Sequence, residues 1–183
     1  MKDFSFPSFL IRRDFLKGLL IALGSLGLNL NWLLRPAEGA LRIGDIPPRA
    51  DLLDLKGQKV SLPGDFKGQV GLLHFWASWC PYCRKEFIAI ESLFQQYKNK
   101  GFRPYSISVG ENTVAVEAYL VNLNLKVSYS IPLDTDSSAA RRYGITGIPT
   151  TLIVDRGGLI RFKILGEINQ AGLHKLVSTL MAK

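Results

Sequence analysis

Cysteine and histidine are scarce in this chain: 183 residues hold two of each. A small secreted scaffold stapled by disulfides needs more cysteines, widely spaced, so that class is excluded. A structural zinc site needs four ligands. The only donors of the usual kinds are Cys80, Cys83, His74 in an apolar strand and His174 near the carboxyl end, so no metal is expected. Internal repeats and low-complexity tracts are missing. So is any long basic run, although the net charge is +8. The basic residues fall in dispersed pairs, Arg84-Lys85, Arg141-Arg142 and Arg161 with Lys163, without aromatic interleaving. That pattern reads as a solvated basic surface, and no nucleic-acid partner is expected. Long apolar runs are also rare: one stands out, Gly18 to Leu34.

What is present begins with that run. Arg12-Arg13-Asp14-Phe15-Leu16-Lys17 precedes it, Arg35-Pro36 ends it, and Ala37-Glu38-Gly39-Ala40 follows with small residues at alternate positions. Positive region, apolar region and small-residue site stand in the order of an export signal. The hexapeptide RRDFLK resembles the twin-arginine export signal. Residues 1–39 are therefore expected to be an export signal or membrane anchor, and residues 40–183 the folded domain. At about 17 residues the run is near the lower limit for a membrane span. Uncut, residues 18–34 would hold the domain at the membrane. The positive residues ahead of the run predict a cytoplasmic amino terminus. The domain is then extracytoplasmic, where disulfide chemistry is expected.

Within residues 40–183 the periodicities alternate. Asp54-Leu55-Lys56-Gly57 reads as a turn between short strands, the second over Lys59–Leu62. Gln69–Ala77 is an almost unbroken apolar run of strand length, as in a central strand buried on both faces. Cys80-Pro81 opens a helix to about Lys100, with Phe87, Ile90, Leu93, Phe94 and Tyr97 at helical spacing. Phe102–Val109 is a strand, Thr113–Asn122 a helix, Tyr129–Leu133 a short strand and Ser137–Tyr143 a short helix. Thr150–Asp155 and Leu159–Leu165 flank the turn Arg156-Gly157-Gly158, and Gln170–Met181 closes the chain as a helix. The expected architecture is a mixed central sheet covered by helices.

The chemistry gathers at Cys80-Pro81-Tyr82-Cys83. Two cysteines three positions apart close a loop too small to add much stability through chain entropy, so their reason is reactivity. Placed at a helix start, Cys80 faces unpaired N–H groups and the positive dipole end, which favour the nucleophilic thiolate. Cys80 is expected to be the attacking thiol and Cys83, more buried, the resolving thiol. Gly147-Ile148-Pro149-Thr150 stands just before a strand. A cis proline is expected there, and the backbone at Ile148 and Pro149 is a candidate for pairing with an extended substrate segment. Glu86, three residues after Cys83, is either a solvated carboxylate at the helix start or a member of the active-site cavity. In the second case it raises a thiol pKa, whereas Glu91, further along, is expected not to. His74 is either a proton relay or a hydrogen-bonded core histidine.

The stretches GDIPP, DLKGQKVSL, FKGQV, FWASWCPYCRKEF, YSISVGE, YGITGIPTTLIVDRGG and LGEI make residues 44–183 similar to the TlpA/ResA-like branch of the thioredoxin superfamily. The resemblance implies an α/β thioredoxin-like fold: a mixed central sheet flanked by helices, with a short inserted segment. It implies thiol-disulfide exchange outside the cytoplasm, without a cofactor. Disulfide-bearing clients are the implied partners, apocytochrome c among them, with a membrane thiol-transfer protein as electron donor. Trp79, Cys80, Cys83 and Pro149 match the functional positions, and Glu86 matches an acidic residue near the active site of some members. His74 stands where thioredoxins resemble one another in a buried aspartate. The Pro-Tyr dipeptide departs from the branch, which leaves an oxidase or isomerase as the alternative direction of exchange. A metal chaperone fits less well, because copper-delivery relatives space their cysteines more widely. A peroxidase fits poorly too, because Ala77-Ser78-Trp79 lacks the Pro and Thr that precede a peroxidatic cysteine.

Overall fold

The computed structural model describes residues 41–183. The RRDFLK motif, the apolar run 18–34 and the small-residue site lie outside the described residues. Among the described residues no helix is long and apolar enough to cross a membrane.

Seven strands form one sheet in the order β2-β1-β5-β4-β3-β6-β7. They are β1 (Ala50–Asp54), β2 (Lys59–Leu62), β3 (Val70–Trp76), β4 (Phe102–Val109), β5 (Pro132–Asp134), β6 (Thr150–Val154) and β7 (Ile160–Leu165). Among the described residues four α-helices accompany them: α1 (Cys83–Tyr97), α2 (Thr113–Leu123), α3 (Ser138–Arg142) and α4 (Gln170–Met181). The apolar run of β3 is buried at every residue. It lies between β4, which is parallel, and β6, which is antiparallel, and so fills the centre of the sheet. The β3–α1–β4 crossover is the unit that parallel pairing requires.

Because strand side chains alternate between faces, β3 serves two cores. Val70, Leu72 and Trp76 join Phe87, Ile90 and Leu93 of α1 and Leu173 and Val177 of α4. Leu73 and Phe75 join Phe66, Tyr143 and the α3 alanines on the other side. Gly71 is fixed by that second face: a Cβ there would stand 2.6 Å from the Phe66 ring.

Two expected elements start elsewhere. The helix begins at Cys83 rather than at Cys80-Pro81, and residues 80–82 form a turn closed by Cys83 N–H donating to the Cys80 carbonyl over 3.3 Å. The residue before a proline is disfavoured in the α conformation, which holds Cys80 out of the helix. The strand expected over Tyr129–Leu133 is β5, Pro132–Asp134. The preceding residues make a single bridge, Tyr105 with Ser130; the Ser128 N–H donates to the Glu91 carboxylate rather than to a strand.

Candidate active site

The carboxyl end of β3 delivers the chain into the loop Ala77–Tyr82. Glu111, just beyond β4, ties this loop down. Its carboxylate accepts from Ser78 N–H (2.9 Å), from Ser78 Oγ and from Ser108 Oγ (2.9 Å). The segment ahead of the cysteines is thus anchored to the neighbouring strand end. Cys80 and Cys83 follow, joined as a disulfide with Cα atoms 5.6 Å apart. Cys80 is 3% exposed and Cys83 fully buried. Around Cys80 the surface is apolar and open, with Trp79 72% and Tyr82 59% exposed.

The Ile148–Pro149 bond is cis. Ile148 packs against the large apolar cluster to which Cys80 and Cys83 also belong. The Pro149 carbonyl accepts from Gly166 N–H and the Gly147 carbonyl from Thr150 Oγ1. Among the described residues no hydrogen bond uses the N–H or C=O of Ile148.

Behind Cys83 the surroundings change. Glu86 is one helical turn on, on the same side of α1, and is fully buried. Its Oε1 accepts from Ile168 N–H (3.0 Å) and its Oε2 from Thr151 Oγ1 (3.0 Å). Burial raises its pKa from the ordinary carboxylate value to about 7, against the lowering effect of these two donors; nearby Glu167 raises it further. Glu167 itself is paired with the exposed Lys85 at 2.9 Å. His74 Nε2 lies 3.3 Å from Glu86 Oε2, and both side chains are inaccessible to solvent. Desolvation pushes the His74 pKa far down, so the ring is neutral. Its Nδ1 is 3.1 Å from Ser106 Oγ, which is 3.1 Å from the Tyr129 hydroxyl.

Register explains this assembly. His74 of β3 is directly opposite Thr151 of β6 and Ser106 of β4. Thr151, His74 and Ser106 therefore form one transverse row on the α1 face of the sheet, beneath Glu86. The Phe87 ring packs edge-to-face with His74 and with Trp76, ring centres 5.4 Å and 4.7 Å apart, closing the row on its apolar side.

Glu86 is thus inside the protein and not on a solvated helix start, and His74 is hydrogen-bonded. Glu91, expected to be a bystander, is buried too. It accepts from Ser128 N–H and Ser128 Oγ and secures the segment before β5. Sequence reasoning gave no role to Glu111, Thr151, Ser106 or Tyr129. Ser106 and Thr151 carried a signal, a polar residue within an otherwise apolar strand, which does not tell which strands adjoin; Glu111 and Tyr129 lie outside the strands.

The family model described as the AhpC/TSA family matches residues 43–163. The thiol-disulfide oxidoreductase ResA of Bacillus thuringiensis subsp. konkukian (strain 97-27) is 30% identical over 162 residues, covering 88% of this chain and 92% of that protein. ResA of Bacillus subtilis (strain 168) is 26% identical over 162 residues, covering 88% and 89%. Among solved structures, the thioredoxin domain of a thiol-disulfide oxidoreductase from Bacteroides vulgatus superposes with a TM-score of 0.67 at 29% identity, over 78% of this chain and 99% of that one. StoA from Bacillus subtilis superposes with a TM-score of 0.60 at 26% identity, over 72% and 98%.

Proposed function

The chain belongs to the AhpC/TSA family as a ResA-like thiol-disulfide oxidoreductase with a thioredoxin-like fold, and from that premise we propose that it reduces protein disulfides outside the cytoplasm. The observation that carries this reading is the asymmetry of the pair. Cys80 lies at the edge of an exposed apolar rim, and Cys83 is buried one turn from a buried carboxylate.

The exchange proceeds in two steps. The Cys80 thiolate attacks one sulfur of a client disulfide, releasing the other as a thiolate and leaving a mixed disulfide on Cys80. Trp79 and Ile148 offer the client apolar contact, and the free N–H and C=O of Ile148, next to Pro149, pair with its extended backbone. Cys83 then loses its proton and attacks Cys80 Sγ. The second client sulfur leaves and is protonated, and Cys80–Cys83 closes as a disulfide. Two electrons pass from the dithiol to the client. Glu86 is the group suited to hold the Cys83 proton, because burial brings its pKa close to neutrality.

Export through residues 1–39, with a twin-arginine-type signal or an anchor over residues 18–34, places the domain where client disulfides occur. The resemblance extends the client class to the cysteine pair of apocytochrome c and supplies a membrane thiol-transfer protein as electron donor. Cys83→Ser tests the reading: the full-length variant should accumulate clients in mixed disulfide with Cys80. The redox potential fixes direction. A value near the reducing end of related proteins, about −270 mV, supports a reductase, and one near −120 mV makes it an oxidase.

A further inference from the structure

We propose that His74 is a tautomer switch: protonation of Glu86 reverses a buried hydrogen-bonded chain running Glu86–His74–Ser106–Tyr129 across the sheet. This rests on the reading of Glu86 given above and concerns how that carboxyl exchanges its proton.

The chain has two consistent directions. With Glu86 ionised, the Tyr129 hydroxyl donates to Ser106 Oγ, Ser106 donates to His74 Nδ1, and the proton on Nε2 faces the carboxylate. With Glu86 protonated, every link turns round. The carboxyl O–H donates to a bare Nε2, Nδ1–H donates to Ser106 Oγ, and Ser106 donates to Tyr129. The Ser106 and Tyr129 hydroxyls serve as donor or acceptor, and the role of each His74 nitrogen depends on the tautomer. A neutral imidazole has one donor and one acceptor nitrogen, so the two ends of the ring are obliged to change together. The link at Nε2, 3.3 Å from Glu86 Oε2, is the one left without hydrogen-bond alignment. An unpartnered nitrogen in a fully buried ring, beside a fully buried carboxyl, is the joint at which such a chain would turn.

The proton balance closes without charging His74. The Tyr129 proton moves to Ser106, the Ser106 proton to Nδ1, and the Nε2 proton to Glu86; Tyr129 is then reprotonated from its own side. That side differs from the client rim: Tyr129 backs a polar cleft lined by Asp54, Lys56, Gln58, Arg103 and Ser130. Glu86 can thereby exchange its proton while a docked client covers the cysteines. Other ionisable groups around the pair are Cys83 on α1, Glu167 with its partner Lys85 beside Ile168, and Glu91 near Tyr129.

Two histidines in the chain make the test direct. The full-length protein, labelled with nitrogen-15 in histidine and carrying His174→Gln to leave one signal, is titrated between about pH 5 and 9. The expected result is a neutral His74 that changes from the Nε2–H to the Nδ1–H tautomer as pH falls through the Glu86 transition. Tyr129→Phe removes the acceptor that the reversed chain needs. Leaving that buried donor unsatisfied disfavours the protonated state, so the midpoint should fall by about one pH unit. A single tautomer throughout, an imidazolium cation, or an unmoved midpoint in a folded Tyr129→Phe protein overturns the switch. The Glu86 reading is judged separately by thiolate titration of Glu86→Gln. If the tautomer changes with pH but the thiols ignore Glu86→Gln, the chain stands and the catalytic reading falls.

Discussion

The front and the back of the cysteine pair are built on opposite principles. In front, Trp79, Tyr82 and Ile148 present apolar surface with few hydrogen bonds of their own. Behind, Glu86, His74, Thr151, Ser106 and Tyr129 form a polar row with almost no surface. An exposed apolar rim accepts different clients because apolar contact has little directional demand. A buried polar row tolerates little change, since every member needs its partner. Under the proposed function the difference divides the work: contact and attack at the front, proton handling at the back.

The largest expected effect belongs to the front. Cys80→Ser should abolish disulfide reduction, because no second thiol can attack; a variant reducing insulin at the wild-type rate would dissolve the division altogether.

The back is next, and its signature is pH. Burial leaves Glu86 protonated up to about 7, against 4.5 ordinarily. The folded state then holds a proton that the unfolded state lacks between those values, and stability falls as pH rises across the window. His74 has the opposite sign. Its folded pKa is depressed from 6.5, so the unfolded state gains a proton below 6.5 and stability falls as pH falls. Between about 4.5 and 6.5 the two cancel, and the wild-type curve should be nearly flat from this pair. His74→Asn should expose a loss of about 1.4 kcal/mol per pH unit on going up, and Glu86→Gln a similar loss on going down. Urea midpoints measured across pH would show it; parallel curves for the two variants would mean that the groups do not titrate as a buried pair.

A smaller effect links back to front. A nearby carboxylate disfavours a thiolate, so Glu86→Gln should lower the pKa of at least one cysteine by about one unit. Thiolate absorbance of the reduced proteins reads this directly, with exposed Glu117 on α2 as control in place of Glu91, whose loss would disturb the Ser128 segment. Superimposable curves would confine Glu86 to packing. The smallest change expected is in Trp79→Ala. Reduction of protein clients should slow roughly fivefold, equivalent to about 1 kcal/mol of contact, while a small-molecule disulfide is reduced as before. Equal losses on both substrates would show that Trp79 shapes the cysteines rather than the client surface.

Most of the front was legible in the residues themselves. Cys80 and Cys83 are three positions apart along the chain, and their spacing alone points to a redox pair. The Ile148-Pro149 loop announced itself by a proline at a strand entry. Helix and strand positions followed from periodicity, with errors where chemistry intervened: Pro81 kept Cys80 out of α1, and the Glu91 carboxylate took the Ser128 N–H ahead of β5. The back was not legible in that way. Glu86 was visible as a candidate with two fates, and His74 likewise, but neither fate was decided by local sequence.

Local order therefore determined the cysteine pair and the elements that carry it, because those depend on neighbours within a few residues. Strand order decided the rest. Residues 74, 106 and 151 meet only because β4, β3 and β6 are adjacent in one register, with Glu86 held above them by α1. Burial by that packing removes the water that would otherwise set a carboxyl and an imidazole at their ordinary pKa values, and only the folded chain supplies it.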